Sequence, residues 1–187
     1  ANYTDNYKHI RRTNLLLQNA EAYAKPEDIK QYIGEAYFFR AYSYFDLLQL
    51  YGDVIITKKP LDITDPEMKV KRNDRSEVVD LIIDDLNHAV ENLPAFKELT
   101  TEEEGRISKE GAQAFLSRVA LYEGTWQKSR NGNQNTQRSA NLLDIAAKAA
   151  RTVIDAKYGY TFRLFGTDSE TKILGDSAQK YMFILEN

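Results

Sequence analysis

The residues able to do chemistry are few: two histidines, no cysteine, and carboxylates gathered at Asp84–Asp85 and Glu102–Glu104. Asp84 and His88 stand four apart, the spacing of neighbours on one helical face. A metal there would need two further ligands from elsewhere, and a surface ion pair satisfies the same spacing. Asp84 and Asp85 are adjacent, so a helix points them about 100° apart and they do not address one atom. Asp84 is expected in solvent and Asp85 turned toward a partner. His9 is a lone histidine, read as a solvated or packed side chain. Glu98 and Glu102–Glu104 lack the alternating oxygens and tight glycine turn of a calcium loop, which leaves a solvated acidic loop. Lys69, Lys71, Arg72 and Arg75 form a basic cluster that suits a phosphate or acidic partner, or a solvated loop. No nucleophile–base arrangement, metal spacing or phosphate loop emerges. No enzyme, metal or cofactor is therefore expected.

Arg40 is a different kind of charged residue. It lies in GEAYFFRAYSYF, amid aromatic side chains. A guanidinium buried there requires a carboxylate or several carbonyls. Glu35, Asp46 or an acidic residue of another helix is the expected partner, with Asp85 the candidate on the third helix. Asn14, among Leu15, Leu16 and Leu17, is a second polar group that needs partners if buried.

The elements that place these residues follow from periodicity and breakers. A first helix is expected from about Thr4 to Tyr23, with Tyr7, Ile10, Asn14 and Leu17 on one face. The second spans Pro26 to Gly52. Pro26 suits its first position, Glu27 and Asp28 suit its positive end, and Gly52 stops it. Its apolar residues surround the axis, so burial on most sides is expected. Residues 53–74 form a long connection, with Val54–Ile56 suited to extended backbone. A third helix runs from Arg75 to Leu93, with Asp74 and Glu77 at capping-box spacing and Pro94 as its stop. A fourth runs from the Ser108 cap to Gly124, with Trp126 just beyond. A polar loop covers 127–139. A fifth helix, capped by Ser139 or Asn141, runs from Leu142 to about Lys157, packing through Leu143, Ala146, Ala147, Ala150, Val153 and Ile154. The remainder to Asn187 reads as loop with short extended pieces. Five helices without paired strands make an all-α chain of antiparallel helix pairs of tetratricopeptide type with long irregular loops.

Composition narrows the partners. A net charge of −3 gives no electrostatic case for nucleic acid. No apolar run approaches the roughly 18 residues that suggest a membrane span. The unusual feature is aromatic, 12 Tyr and 8 Phe, which suits large faces buried against partners or sugars. Both ends look cut, so residues 1–187 are expected to form a single helical domain of a longer chain.

Several blocks, in order, resemble the SusD/RagB family of outer-membrane lipoproteins of Bacteroidetes. They are NYKHIRRTNLLLQ, then GEAYFFRA with YFDL and LYGDV, then Arg75 with Asp85-Leu86 and Ala89. GRISK, Ala112, Arg118–Tyr122 and the Ala-rich stretch ending near Gly159-Tyr160 complete the set. The resemblance implies part of a SusD-like α-superhelix, the N-terminal helical half. It implies a cell-surface lipoprotein that captures oligosaccharides or peptides without covalent chemistry. It further implies a SusC-like TonB-dependent transporter as partner, and a membrane link only through an N-terminal lipid absent from this chain. The lipid-bearing cysteine is missing, Ile55-Ile56 stands where the family often has Pro and an aliphatic, and the polar loop looks long.

The resemblance carries no binding residue over by motif. Aromatic platforms bind sugars by stacking on their apolar faces, with polar neighbours for the hydroxyls. Trp126, followed by Gln127, Asn131 and Asn133, has that composition. The alternative role for Trp126 is closing the hairpin of helices four and five. The alternative function is a tetratricopeptide-like protein–protein adaptor.

Overall fold

The computed structural model describes residues 2–62, 64–103, 105–130 and 136–162. The chain forms five α-helices: α1 (Asn2–Glu21), α2 (Lys30–Tyr51), α3 (Arg75–Asn92), α4 (Lys109–Arg130) and α5 (Thr136–Ile154). Among the described residues, extended pairing is limited to one antiparallel bridge between Val54 and Asn73. Each helix packs on the next, α1 on α2, α2 on α3, α3 on α4 and α4 on α5. The architecture is all-α, a stack of antiparallel helix pairs.

α2 carries most of the core. Its Tyr44, Leu47 and Leu48 are buried with Ile10 of α1 and Val78, Ile82 and Leu86 of α3. The Phe115 ring of α4 adds a third wall, 5.4 Å from Phe38 and 5.5 Å from Phe45. The helix is shorter than its pattern suggests. Pro26–Ile29 is a tight 3₁₀ turn, in which the Asp28 amide reaches the Lys25 carbonyl, and α-helical bonding begins at Lys30. At 1.5 Å per residue, the 22 α-helical residues extend about 33 Å. Burial is also less complete than its all-round apolarity suggests. Phe39, Tyr42 and Leu50 remain 48%, 54% and 55% exposed, because the neighbouring helices cover only part of its circumference.

Polar groups inside this core join three helices. Arg40, 5% exposed, donates from Nε to Asp85 Oδ2 at 2.8 Å and from Nη2 to Asp85 Oδ1 at 2.6 Å. Its Nη1 donates to Asn14 Oδ1 at 2.8 Å. Asn14 in turn donates from Nδ2 to the carbonyls of Thr57 at 2.9 Å and Lys59 at 3.3 Å. The network thus ties α1, α2 and α3 to residues 57–59 of the connection after α2. Glu35 and Asp46, the other candidates for Arg40, are engaged elsewhere. Glu35 receives Arg106 at 2.7 Å and 2.8 Å, and Asp46 receives Asn6 Nδ2 at 2.6 Å.

The largest departure from the sequence expectation concerns α4 and α5. Gly124 does not end α4, which continues to Arg130, so Trp126 is a helical residue rather than a hairpin closure. The reason is packing. A Cβ at Gly124 would stand 3.0 Å from Leu143 side-chain atoms and 3.3 Å from Leu142 Cβ. Glycine is there to let α5 approach, and that contact outweighs its cost in a helix interior, roughly 1 kcal/mol. α5 likewise starts earlier, at Thr136. Ser139 is therefore inside the helix rather than capping it, and its hydroxyl donates to the Gly124 carbonyl at 2.8 Å. The buried face is Ser139, Leu142, Ala146 and Ala149. Ala147 and Ile154, expected on that face, are exposed.

Candidate functional site

α2 ends, α3 begins and the last turns of α4 pass at one place in the fold. Gly52 closes α2 with a backbone φ of 71°, its amide bonded to the Leu48 carbonyl. The chain then returns through the Val54–Asn73 bridge to Asp74, whose amide donates to Glu77 Oε2 at 3.1 Å. Asp53 reaches across to accept the Arg75 amide at 2.9 Å. The first residue of α3 is thereby fixed beside α4.

Arg75 leaves the basic cluster of the loop and enters the protein. Its Nε donates to both oxygens of Glu123, at 2.9 Å and 3.1 Å, and its Nη2 lies 2.8 Å from Oε2. Glu123 is fully buried and also accepts from Gln127 Nε2 at 2.7 Å. A buried carboxylate is tolerated only when so completely partnered. The guanidinium lies 4.0 Å from the centroid of the Trp126 ring, a cation–π contact. Trp126 is half-buried, with that part of its π-face held rigidly from within.

The clamped indole lines an open cleft of about 570 Å³ with Tyr51, Gly52, Asp53, Arg72, Asp74, Arg75, Ser76 and Gln127. The lining offers two aromatic rings, two guanidinium groups and two carboxylates. Such a set can stack on an apolar ring face and bond hydroxyls in the plane around it. It contains no histidine or cysteine for acid–base or nucleophilic work.

Of the residues singled out as ligand-binding from sequence, Trp126 is in this cleft, while Asn131 and Asn133 lie outside the described residues. Arg75, Glu123 and the Asp53–Asp74 pair were not singled out for it. Arg75 was hidden in a run of loop cations, and Glu123 in an apparent helix end. Its place three residues before Trp126 on a face shared with Val119 and Ala120 was the available signal. Glu35, Arg40 and Asp85 occupy the core and its edge rather than the cleft.

His88, Glu98 and Glu103 are engaged locally. His88 stacks on Tyr37 with centroids 4.8 Å apart, and its Nδ1 donates to the Asp84 carbonyl at 2.9 Å. Asp84 is exposed. Glu98 and Glu103 cap their own 3₁₀ turns, accepting the amides of Ala95 and Thr100. Among the described residues, no three of His, Asp and Glu are grouped to hold a metal. No helix among them is long and apolar enough to cross a membrane.

Comparison with known proteins gives the same answer from sequence and from fold. A SusD-like protein of Formosa agariphila is 34% identical over 117 residues, 62% of this chain and 22% of that protein's length. The solved structure of a SusD-like protein from Bacteroides fragilis aligns over 91% of this chain and 29% of its own, with 28% identity and a TM-score of 0.71. A laminarin-binding SusD-like protein aligns over 87% of this chain and 32% of its own, with 28% identity and a TM-score of 0.67. The chain therefore spans about a fifth of the length of the curated relative and under a third of the solved ones. The SusD-like family model, described as starch-binding associating with outer membrane, matches residues 1–121. With its helices stacked as in those structures, this chain belongs to the SusD-like family.

Proposed function

We propose that the protein to which this chain belongs captures oligosaccharides, or other breakdown products of polymers, at the cell surface without transforming them. It holds them for import through a SusC-like TonB-dependent transporter, from a lipid-anchored position on the outer membrane. Family membership supports this reading, and so does the description of a relative as laminarin-binding. The observation within the chain that carries it is the Trp126 ring, backed by Arg75 and rimmed by Asp53, Asp74 and Arg72. Loss of one stacked aromatic costs about tenfold in affinity, the equivalent of ~1.4 kcal/mol.

Affinity electrophoresis in gels containing laminarin or soluble starch tests it directly. Retardation of the wild-type chain by one of them, reduced about tenfold in Trp126→Ala, is the expected result. Retention by Trp126→Ala equal to wild type would remove the cleft from the reading. The surface location is tested by the intact mass of the native protein from the membrane fraction, where a lipid adduct is expected.

The second reading, a tetratricopeptide-like adaptor for other proteins, is favoured by one observation. Phe39, Tyr42 and Leu50 leave an aromatic and aliphatic face of α2 exposed. A soluble, unlipidated native species would select that reading.

A further inference from the structure

The aromatic surface of the Trp126 cleft does not end at Tyr51. The Tyr51 ring, 44% exposed at the last turn of α2, also meets the ring of Tyr3 edge-on, with centroids 5.2 Å apart. Tyr3, 39% exposed, meets Tyr7 in turn at 4.8 Å, the planes tilted by 46°. Tyr3 and Tyr7 stand four apart, neighbours on one face of α1. Aromatic rings thus run in sequence over the surface, Trp126 and Tyr51 in one cleft, then Tyr3 and Tyr7 past it.

Tyr3 and Tyr7 belong to a second cleft, of about 390 Å³, between α1 and the connection after α2. Tyr3, Tyr7 and Arg11 line it from α1, and Ile55 and Thr57 from the connection. Its size falls within the rough 300–1,000 Å³ range of small-molecule sites. Its walls are set by bonds from inside. The Tyr7 hydroxyl donates to the Ile55 carbonyl at 2.6 Å. Asn14, bonded to buried Arg40, donates to the Thr57 carbonyl at 2.9 Å, and the Tyr44 hydroxyl accepts the Thr57 amide at 2.8 Å. Walls fixed in this way lose little freedom on binding, which favours affinity. Arg11 is 52% exposed and its ion pair with exposed Asp62 is long, at 3.8 Å. Such a pair is weak, so the guanidinium can turn its N–H groups to sugar hydroxyls at little cost.

One sugar ring needs only one of these clefts. The contacts among the tyrosines also tie α1 to the end of α2, but burial would serve that role better than exposure. We propose that the Tyr3–Tyr7 cleft is a second glycan subsite, taken by further units of an oligosaccharide whose first units stack on Trp126. Tyr51 is the crossing point between the two. The ligand is then an extended chain rather than a mono- or disaccharide. This assignment rests on the glycan-capture reading and adds ligand length to it.

Calorimetric titration of the full protein with laminaribiose, laminarihexaose, maltose and maltohexaose tests it. In one of the two series the hexasaccharide is expected to bind about tenfold tighter than its disaccharide. Tyr3→Ala and Tyr3→Leu, the second keeping apolar bulk on α1, are expected to bring the hexasaccharide down to the affinity of the disaccharide. Trp126→Ala is expected to weaken both. Tyr23→Ala removes an exposed ring outside both clefts, and unchanged binding is expected. A longer chain also gains statistically, by offering several registers to a single subsite. An advantage that survives both Tyr3 variants would be of that kind and would overturn the inference. Equal binding of disaccharide and hexasaccharide by the wild type would overturn it too, and leave glycan capture standing. Equal loss for both ligands in the Tyr3 variants would mean one site rather than two, with the same consequence. Binding of neither series would remove the capture reading and this inference with it.

Discussion

Asn14, Arg40 and Asp85 are the residues on which the packing of the first three helices turns. Burial raises the Asp85 carboxyl, while the Arg40 fork acts to keep it ionised. Arg40→Leu would leave that carboxylate buried without its cation, and would strip Asn14 of a donor. Loss of about 3–5 kcal/mol is expected, read as the shift in urea midpoint. Arg40→Leu combined with Asp85→Leu removes both charges, and recovery of much of that loss is expected, because the pair costs desolvation as well as supplying attraction. Glu123 acts on the cleft in the same way. Glu123→Gln keeps the shape but weakens the hold on Arg75, so the indole loses its rigid backing. Lower glycan affinity and altered Trp126 fluorescence are expected together, Trp126 being the sole tryptophan. An altered affinity with unchanged fluorescence would count against positioning through Arg75.

Between elements, close approach is set by two helical glycines. A Cβ at Gly34 would meet the Leu93 side chain at 2.9 Å and its backbone nitrogen at 3.0 Å. Gly124 meets Leu143 and Leu142 in the same manner. Alanine raises helix propensity at both, by roughly 1 kcal/mol, yet overpacking costs about 1–3 kcal/mol. Net destabilisation is expected for Gly34→Ala, where a backbone atom blocks relaxation. A smaller loss is expected for Gly124→Ala, where side-chain atoms of Leu143 can shift. Thermal midpoints of the two variants check the order. A rise in either midpoint would mean that the interface has slack the geometry does not suggest.

Across the whole molecule, buried phenols link stability to alkaline pH. Burial raises Tyr7, Tyr37, Tyr44 and Tyr158 above the ordinary value of 10.0. Unfolded, these groups ionise near 10.0; folded, they keep their protons to higher pH. The folded state thus binds more protons in that window, and the stability it gains is whole below pH 10.0 and is lost as pH rises through the folded values. A urea midpoint from these groups that is flat up to about pH 10 and falls beyond it is expected. A midpoint that stays flat well beyond pH 10 would show that burial does not hold these phenols neutral.

Sequence by itself determined the class of the protein. Periodicity marked five helices, the Asp74–Glu77 spacing marked the start of α3, and the ordered blocks over about residues 3–160 marked the SusD-like family. A guanidinium set among aromatic residues also demanded an acid, since burying it alone is prohibitive. Tertiary structure decided what local rules could not weigh. Gly124 looks like a stop when only its own helix is considered, and becomes an interior residue once Leu142 and Leu143 need the space. Ser139 looks like a cap and instead bonds across the hairpin to Gly124. The Pro26 turn tightens to 3₁₀ before α2. Above all, the Trp126 cleft joins residues distant in the chain: Tyr51 with Arg75, and Arg75 with Trp126. Spacing along a sequence reveals which side chains share a face, but which faces meet depends on how helices pack.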